Sequence, residues 1–172
     1  SEEGKWSVFF DGTDDYIDVA SGATQLGSGD LTVEFWIKTG DTSFNLANPD
    51  DSTGSGYWGI LMQSGDLRWN DSYGVSNKWV VDGAALTDNQ WHHVAIVRAS
   101  GTFAVYYDGT SQSIQSGSFS DSTNYSCSDV LRIGKGYGAG TLDEFQGFLS
   151  NFRTVVGTAV YTGNYTTPST PL

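Results

Sequence analysis

Hydrophobic residues recur at every second position in several short runs along the chain. The clearest run covers residues 31–39, and a strand here would bury one face made of Leu31, Val33, Phe35 and Ile37. Trp36 lies on the opposite face, so we expect that face to be partly covered too. Further strands are predicted at 6–10, 16–19, 57–63, 67–70, 78–81, 91–98, 103–107, 130–133 and 145–155, with a short apolar piece at 160–161. Residues 42–56 lack any period and are predicted to form a loop.

Turn signals separate these runs. Asp11-Gly12, Asp82-Gly83 and Asp108-Gly109 are dipeptides that suit tight turns with positive backbone angles. About a dozen short strands and no long helical pattern predict an all-β fold of two packed antiparallel sheets.

The length and charge of the chain narrow its function classes. A chain of 172 residues fits one domain over 1–172, with 1–5 as a linker or tag remnant. The net charge of −12 disfavours nucleic acid and anionic membranes as partners, and it suits solubility, salty surroundings or calcium. No apolar stretch is long enough for membrane insertion. Cys127 is the single cysteine, which excludes an intrachain disulfide, and we expect a packed or idle thiol.

Four segments in order resemble the landmarks of laminin-G-like domains of the concanavalin-A superfamily: 7–17 (SVFFDGTDDYI), 31–38 (LTVEFWIK), 91–98 (WHHVAIVR) followed by 106–109 (YYDG), and 131–134 (LRIG). The ending, 147–168, resembles the version found in virion and tail proteins of bacterial viruses. The resemblance implies a jelly-roll sandwich at an extracellular or virion surface. Many members of the family have an acidic residue where Ser150 stands, so calcium by that route is disfavoured.

The carboxylates do not show the spacing of a glycosidase. Retaining hydrolysis needs two carboxyls about 5–5.5 Å apart. Asp143 and Glu144 are adjacent and would face opposite sides of a strand, and Glu34 stands alone on its strand. His92 and His93 also diverge, so one of them is expected to be buried with a backbone partner. We therefore predict that the chain is not an enzyme.

Aromatic and polar residues in the middle of the chain form the predicted sugar site. Sugar binding needs flat rings and hydroxyl partners. The predicted ligand residues are Trp58, Trp69, Asn70, Asp71, Tyr73, Trp79 and Tyr137. Core packing is the alternative for these tryptophans, whereas Trp6, Trp36 and Trp91 hold landmark positions and are predicted to be structural.

A structural Ca²⁺ site is the second prediction. Asp11, Asp14 and Asp15 crowd an early turn, and strand pairing could bring Asn151 beside them. An ordinary aspartate-rich turn is the alternative.

Two functions remain open from the sequence. The first is a non-catalytic, lectin-like domain of a viral particle or tail adhesin that contacts a cell-surface glycan or polysaccharide. The second is a structural or decoration domain that contacts other virion proteins and binds no sugar.

Overall fold

The computed structural model describes residues 6–49, 56–72, 76–136 and 143–169, and two large antiparallel sheets dominate them. The strands are β1 (Val8–Asp11), β2 (Ile17–Val19), β3 (Gln25–Gly27), β4 (Leu31–Lys38), β5 (Phe44–Pro49), β6 (Gly59–Gln63), β7 (Asp66–Ser72), β8 (Ser76–Asp82), β9 (His92–Ala99), β10 (Thr102–Tyr107), β11 (Thr110–Ser111), β12 (Ile114–Gly117), β13 (Tyr125–Ser126), β14 (Leu131–Ile133), β15 (Asp143–Glu144) and β16 (Gln146–Val156). Two short 3-10 helices cover Ser21–Thr24 and Ala84–Leu86.

The strands are arranged so that neighbours in space are mostly distant in sequence. The first sheet has the order β1-β16-β4-β9-β10-β11. The second sheet has the order β12-β8-β7-β6-β5-β14-β2, with β15 pairing parallel to β5. Strands β3 and β13 form a small pair of their own. The predicted two-sheet sandwich is confirmed.

The interpretation of residues 42–56 as a loop is wrong for its first part. Phe44–Pro49 is strand β5, it pairs with β6 and β14, and all six of its residues are buried. A strand in the middle of a sheet that is buried on both faces shows no alternation. Asn45 and Asn48 within it also resemble loop formers, which hid the strand from pattern analysis.

The main core lies between the sheets and is rich in rings. The rings of Trp58 and Trp69 stack with centroids 5.3 Å apart, and Trp79 continues the stack at 6.2 Å from Trp69. Trp58 Nε1 donates a hydrogen bond to the carbonyl of Thr24 at 3.1 Å. Inward residues of the first sheet, such as Phe35, close the core from the other side.

A segment without regular structure, residues 157–165, covers part of the outer face of the first sheet; we call it the C-terminal strap. Its Tyr161 and Tyr165 rings pack on a small second cluster made of Ala95, Val97 and Tyr106. Tyr165 N–H donates to the carbonyl of Gly109 at 2.9 Å. The prediction that the face carrying Trp36 is partly covered is therefore confirmed.

No helix in the described ranges has the length and apolarity required to cross a membrane.

Candidate functional site

The tryptophans of the predicted sugar site are part of the core. Trp58, Trp69 and Trp79 are each 0% exposed. Strands β7 and β8 point their odd-numbered residues inward, so Trp69 and Trp79 face the first sheet rather than solvent. The prediction that these three rings bind a sugar at the surface is wrong.

The remaining members of that predicted site do not assemble around them. Asn70 lies on β7 but is almost buried, and as the neighbour of Trp69 it faces the opposite side of the sheet. Asp71 is half-buried. Tyr73 and Tyr137 lie outside the described residues.

Exposed aromatic residues lie instead on the outer face of the first sheet. Phe9 is 53% exposed, Trp91 40% and Phe148 36%. The ring centroids of Phe9 and Phe148 are 5.0 Å apart, and those of Phe148 and Trp91 are 6.3 Å apart. We call these three residues the aromatic strip. Trp6 is also exposed and Trp36 is half-buried, so the structural role predicted for Trp6 and Trp91 is wrong.

Strand register explains why the rings of the aromatic strip meet. Phe9 pairs with Phe148, and Phe148 pairs with Lys38 on β4. Ile37 pairs with His92, so Trp91 continues the same row one residue earlier. The neighbours Phe10, Leu149 and Ile37 point into the core, which turns the strip residues outward.

Sequence reasoning missed this strip, although one signal was available. Phe9 and Phe10 are adjacent on a strand, so only one of the two rings can face the core. The structure buries Phe10 to 1% exposure and leaves Phe9 at the surface. The same argument applies to Phe148 and Leu149.

An aspartate cluster lies next to the strip. Asp11 pairs with Gln146, two residues along the strands from the pair of Phe9 and Phe148. Asp11, Asp14 and Asp15 are all exposed, and one carboxylate oxygen of each lies within 4.8 Å of the others. The turn itself gathers them, since Asp15 Oδ2 accepts from Asp11 N–H at 3.0 Å and Asp11 Oδ1 accepts from Thr13 N–H at 2.8 Å.

The expectation that Asn151 joins these aspartates is wrong. Asp11 pairs with Gln146, at the far end of β1 from Val8, which pairs with Leu149. Asn151 therefore lies beyond the first residue of β1, away from Asp11. Asn151 lies five residue steps along β16 from Gln146, which at about 3.3 Å per residue is roughly 16 Å. Calcium at the three aspartates stays a prediction.

Glu34 is the centre of a buried polar network beneath the C-terminal strap. Arg153 Nε donates to Glu34 Oε1 at 2.7 Å, and the Tyr161 hydroxyl donates to Glu34 Oε2 at 2.8 Å. His93 Nε2 lies 3.2 Å from Glu34 Oε2, and His93 Nδ1 contacts the Tyr165 hydroxyl at 2.9 Å. Burial would raise the pKa of Glu34, but His93, Tyr161 and Arg153 together hold it below its usual value.

This network looks like catalytic chemistry but is closed to a substrate. Glu34 and His93 are each 0% exposed. The prediction of one buried histidine is confirmed for His93, but its partners are side chains rather than backbone. The network fixes the strap to the sheet.

His92 bridges two carboxylates beside Trp91. Its Nδ1 lies 2.7 Å from Asp108 Oδ2, and its Nε2 lies 3.0 Å from Asp88 Oδ1. Both nitrogens can donate only when the imidazole is protonated. Burial would lower the pKa of His92, but the hydrogen bonds to Asp108 and Asp88 outweigh it and raise the pKa.

The family model described as "Concanavalin A-like lectin/glucanases superfamily", of laminin-G type, matches residues 11–158. The chain belongs to this family. No curated protein matches the sequence of this laminin-G-like domain. Its match to a family whose description names both lectins and glucanases fixes the fold and leaves the ligand open.

Solved structures share the fold of this laminin-G-like domain. Domains LG4-5 of the mouse laminin alpha1 chain align with a TM-score of 0.65 at 19% identity, over 93% of this chain and 44% of that one. This chain therefore spans less than half of that laminin fragment. A heptameric SAP-like pentraxin from Limulus polyphemus gives 0.62 at 19% identity, over 86% and 74%. Domain 4 of the arabinanase AbnA from Geobacillus stearothermophilus, solved with arabinotriose, gives 0.55 at 14%, over 90% and 72%.

Proposed function

We propose that this laminin-G-like domain is a non-catalytic, lectin-like domain that holds a glycan on the aromatic strip of Phe9, Phe148 and Trp91. The observation that carries the proposal is the contiguous exposure of three rings on the part of the sheet face that the C-terminal strap leaves uncovered. Single exposed apolar residues are ordinary, but contiguous apolar patches mark contact surfaces.

The chemistry of the strip suits a sugar. Ring faces stack on the apolar faces of pyranose or furanose rings, and the polar groups beside them exchange hydrogen bonds with hydroxyls. Asp11 and Gln146 border the strip on one side, and Lys38 lies within its row. The strip is held by strands, so its geometry is fixed before the ligand arrives and little ordering entropy is lost on binding.

The affinity of one such strip is expected to be modest. Three partly exposed rings offer limited apolar area, at about 25 cal/mol per Å² buried. Cell-surface polysaccharides repeat their units, so several copies of the domain on one particle would bind together far more tightly than one. That suits the role of an adhesin.

A non-catalytic role agrees with where the acidic residues lie. Glu34 is sealed under the strap, and the exposed group Asp11, Asp14 and Asp15 lies on one turn. The arabinanase domain that shares the fold was solved with an arabinose trisaccharide. It supports sugar binding as a use of this architecture.

The setting that we propose is extracellular, on a viral particle or tail adhesin that contacts a cell surface. The support is the resemblance of residues 147–168 to the ending found in virion and tail proteins. A structural Ca²⁺ ion at Asp11, Asp14 and Asp15 is a subsidiary part of the proposal, since oxygen ligands are what calcium prefers.

Protein contact is the second candidate function, and one observation favours it. The ring planes of Phe9 and Phe148 are tilted by 48°, and those of Phe148 and Trp91 by 56°. Such an uneven surface also fits interdigitating side chains of another virion protein. In that case the domain would be a structural or decoration domain without a sugar ligand.

A glycan array with matched variants separates the two functions. We expect wild type to bind at least one surface glycan at millimolar concentration or below, and Trp91→Ala to lose that binding. Ile114→Ala is the control, because Ile114 is 38% exposed but lies on the edge strand β12 of the second sheet. No binding to any glycan would favour protein contact, and full binding by Trp91→Ala would remove the strip from the proposal.

A further inference from the structure

Almost all of the lysines and arginines that the structure describes pair with a carboxylate. The sequence holds 8 Lys and Arg against 20 Asp and Glu, and Lys5 lies outside the described residues. Six of the other seven pair with a carboxylate, as Arg68–Asp66, Lys78–Asp121, Arg98–Asp121, Arg132–Asp18, Lys135–Glu144 and Arg153–Glu34. Within the described ranges, Lys38 is the one basic side chain without such an ion pair.

This unpaired ammonium belongs to the aromatic strip. Lys38 pairs with Phe148 on one side, and the register continues to Trp91 on the other. Ile37 points into the core, so Lys38 points to the outer face, where it is half-buried. The row therefore reads Phe9, Phe148, Lys38 and, one residue before β9 begins, Trp91.

The spacing of this row suits one acidic sugar residue. Neighbouring strands lie about 4.8 Å apart, close to the width of a sugar ring. A sugar stacked on Phe148 or Trp91 would place a ring substituent above the adjacent Lys38. A hydrogen bond between an ammonium and a carboxylate is roughly twice as strong as one between neutral groups.

The charges around the aromatic strip oppose two other classes of ligand, cationic sugars and densely sulfated chains. A cationic sugar would meet Lys38 at the centre of the strip. A densely sulfated chain would extend over Asp11, Asp14 and Asp15, whose carboxylates cluster at the end of β1 and in the turn after it. An isolated carboxylate flanked by neutral sugar residues satisfies both constraints.

We infer that the ligand of the aromatic strip is a glycan with an acidic sugar residue, whose carboxylate pairs with Lys38 while its ring or a neighbouring ring stacks on Phe148 or Trp91. The inference rests on the proposed function and adds the chemical class of its ligand. Lys38 is then the residue that sets specificity, and the rings supply contact area that acidic and neutral sugars share.

The test uses short oligosaccharides with one glucuronate or galacturonate residue, each measured by calorimetry beside its own methyl ester. Esterification removes the charge and leaves the rings unchanged. We expect at least one acid to bind about five- to tenfold more tightly than its ester in low salt. The preference should shrink at high ionic strength, because Lys38 is only half-buried and salt screens its charge.

Variants at Lys38 identify the group responsible. Lys38→Met keeps most of the apolar stem and should abolish the preference for the acid, whereas Lys38→Arg should retain it. Equal binding of acid and ester by wild type, or an unchanged preference in Lys38→Met, would overturn the inference. If wild type binds neutral glycans but no acidic ones, the inference is overturned and the proposed function stands. If wild type binds no glycan at all, both the inference and the proposed function fail.

Discussion

Trp91 and Phe148 touch across the outer face of the first sheet, with ring centroids 6.3 Å apart. Strand β4 lies between β16, which carries Phe148, and β9, which begins one residue after Trp91. Lys38 of β4 occupies the row between them. An exposed contact between rings of non-neighbouring strands requires both side chains to lean over the strand between. The two rings thereby form one continuous surface with a charged residue inside it.

Trp69→Ala should strongly destabilise the protein, and it should act on stability rather than on direct contact with a ligand. The Trp69 ring stacks on Trp58 and Trp79 and is fully buried. Removal of a buried tryptophan ring costs about 3–5 kcal/mol. Urea denaturation would measure this loss in the free energy of unfolding. Trp91→Ala is the matched control and should lose less than about 1 kcal/mol, because Trp91 is exposed. Equal losses for the two variants would contradict the division between core and surface tryptophans.

The stability of the domain should fall in the range where His92 titrates. Asp108 and Asp88 raise the pKa of His92 above its ordinary 6.5, so the folded state holds the proton more tightly than the unfolded chain. This stabilisation is fully present below pH 6.5 and is lost as the pH rises through the raised pKa. Denaturation midpoints of wild type and His92→Gln, measured from pH 5 to 9, would check this.

The denaturation midpoints of wild type and His92→Gln should differ most at the acid end of that pH range and converge toward pH 9. A proton NMR titration of the His92 ring gives the pKa directly. A value at or below 6.5 in the folded protein would refute the bridge between Asp88 and Asp108.

Gly109→Ala should loosen the C-terminal strap. Gly109 has a φ of 79°, and a Cβ added there would collide with the carbonyl oxygen of Tyr165. Both the backbone angle and the clash oppose any side chain, so we expect a loss of at least 1–2 kcal/mol (about the cost of a strained backbone position). Gly65→Ala is the control, since its φ is 84° but no atom lies within 4 Å of the added Cβ.

Hydrogen exchange separates strap loosening from general destabilisation. Faster exchange at residues 157–165 and at Ala95, beyond that of the Gly65→Ala control, is the expected result. If the two variants exchange alike, the close approach of Tyr165 contributes nothing specific.

Calcium should raise the melting temperature if it binds at Asp11, Asp14 and Asp15. The cluster gathers three carboxylates within 4.8 Å, and a bound cation would relieve their mutual repulsion. A thermal melt from chelator to excess calcium measures the shift, and Asp14→Asn should reduce it. A flat melting temperature across the titration would remove the ion from the account.

The fold was readable from the sequence where burial is one-sided. Leu31–Lys38 alternates cleanly, and it is strand β4 with its apolar face in the core. Phe44–Pro49 was missed because both of its faces are buried and asparagines interrupt it. Hydrophobic periodicity predicts which face of a strand is buried in the core. It does not predict that the C-terminal strap also covers part of the outer face.

The binding surface was harder to predict because residue type does not encode exposure. Trp69 and Trp91 have the same chemistry, but the Trp69 ring is buried in the core and the Trp91 ring is exposed at the surface. Lys38 could not be distinguished from other lysines without knowing which carboxylates lie near it. The pairing of β1 with β16 also brings together Phe9 and Phe148, which are far apart in the chain.

The most direct test of the aromatic strip as the glycan contact is an NMR titration with a glycan that the array identifies. The indole N–H signals report each tryptophan separately. We predict that the Trp91 signal and the amides around Phe9 and Phe148 shift on binding, while Trp58, Trp69 and Trp79 stay unchanged. Shifts centred on the second sheet, around Asn48 and Asn70, with Trp91 unaffected, would contradict the account.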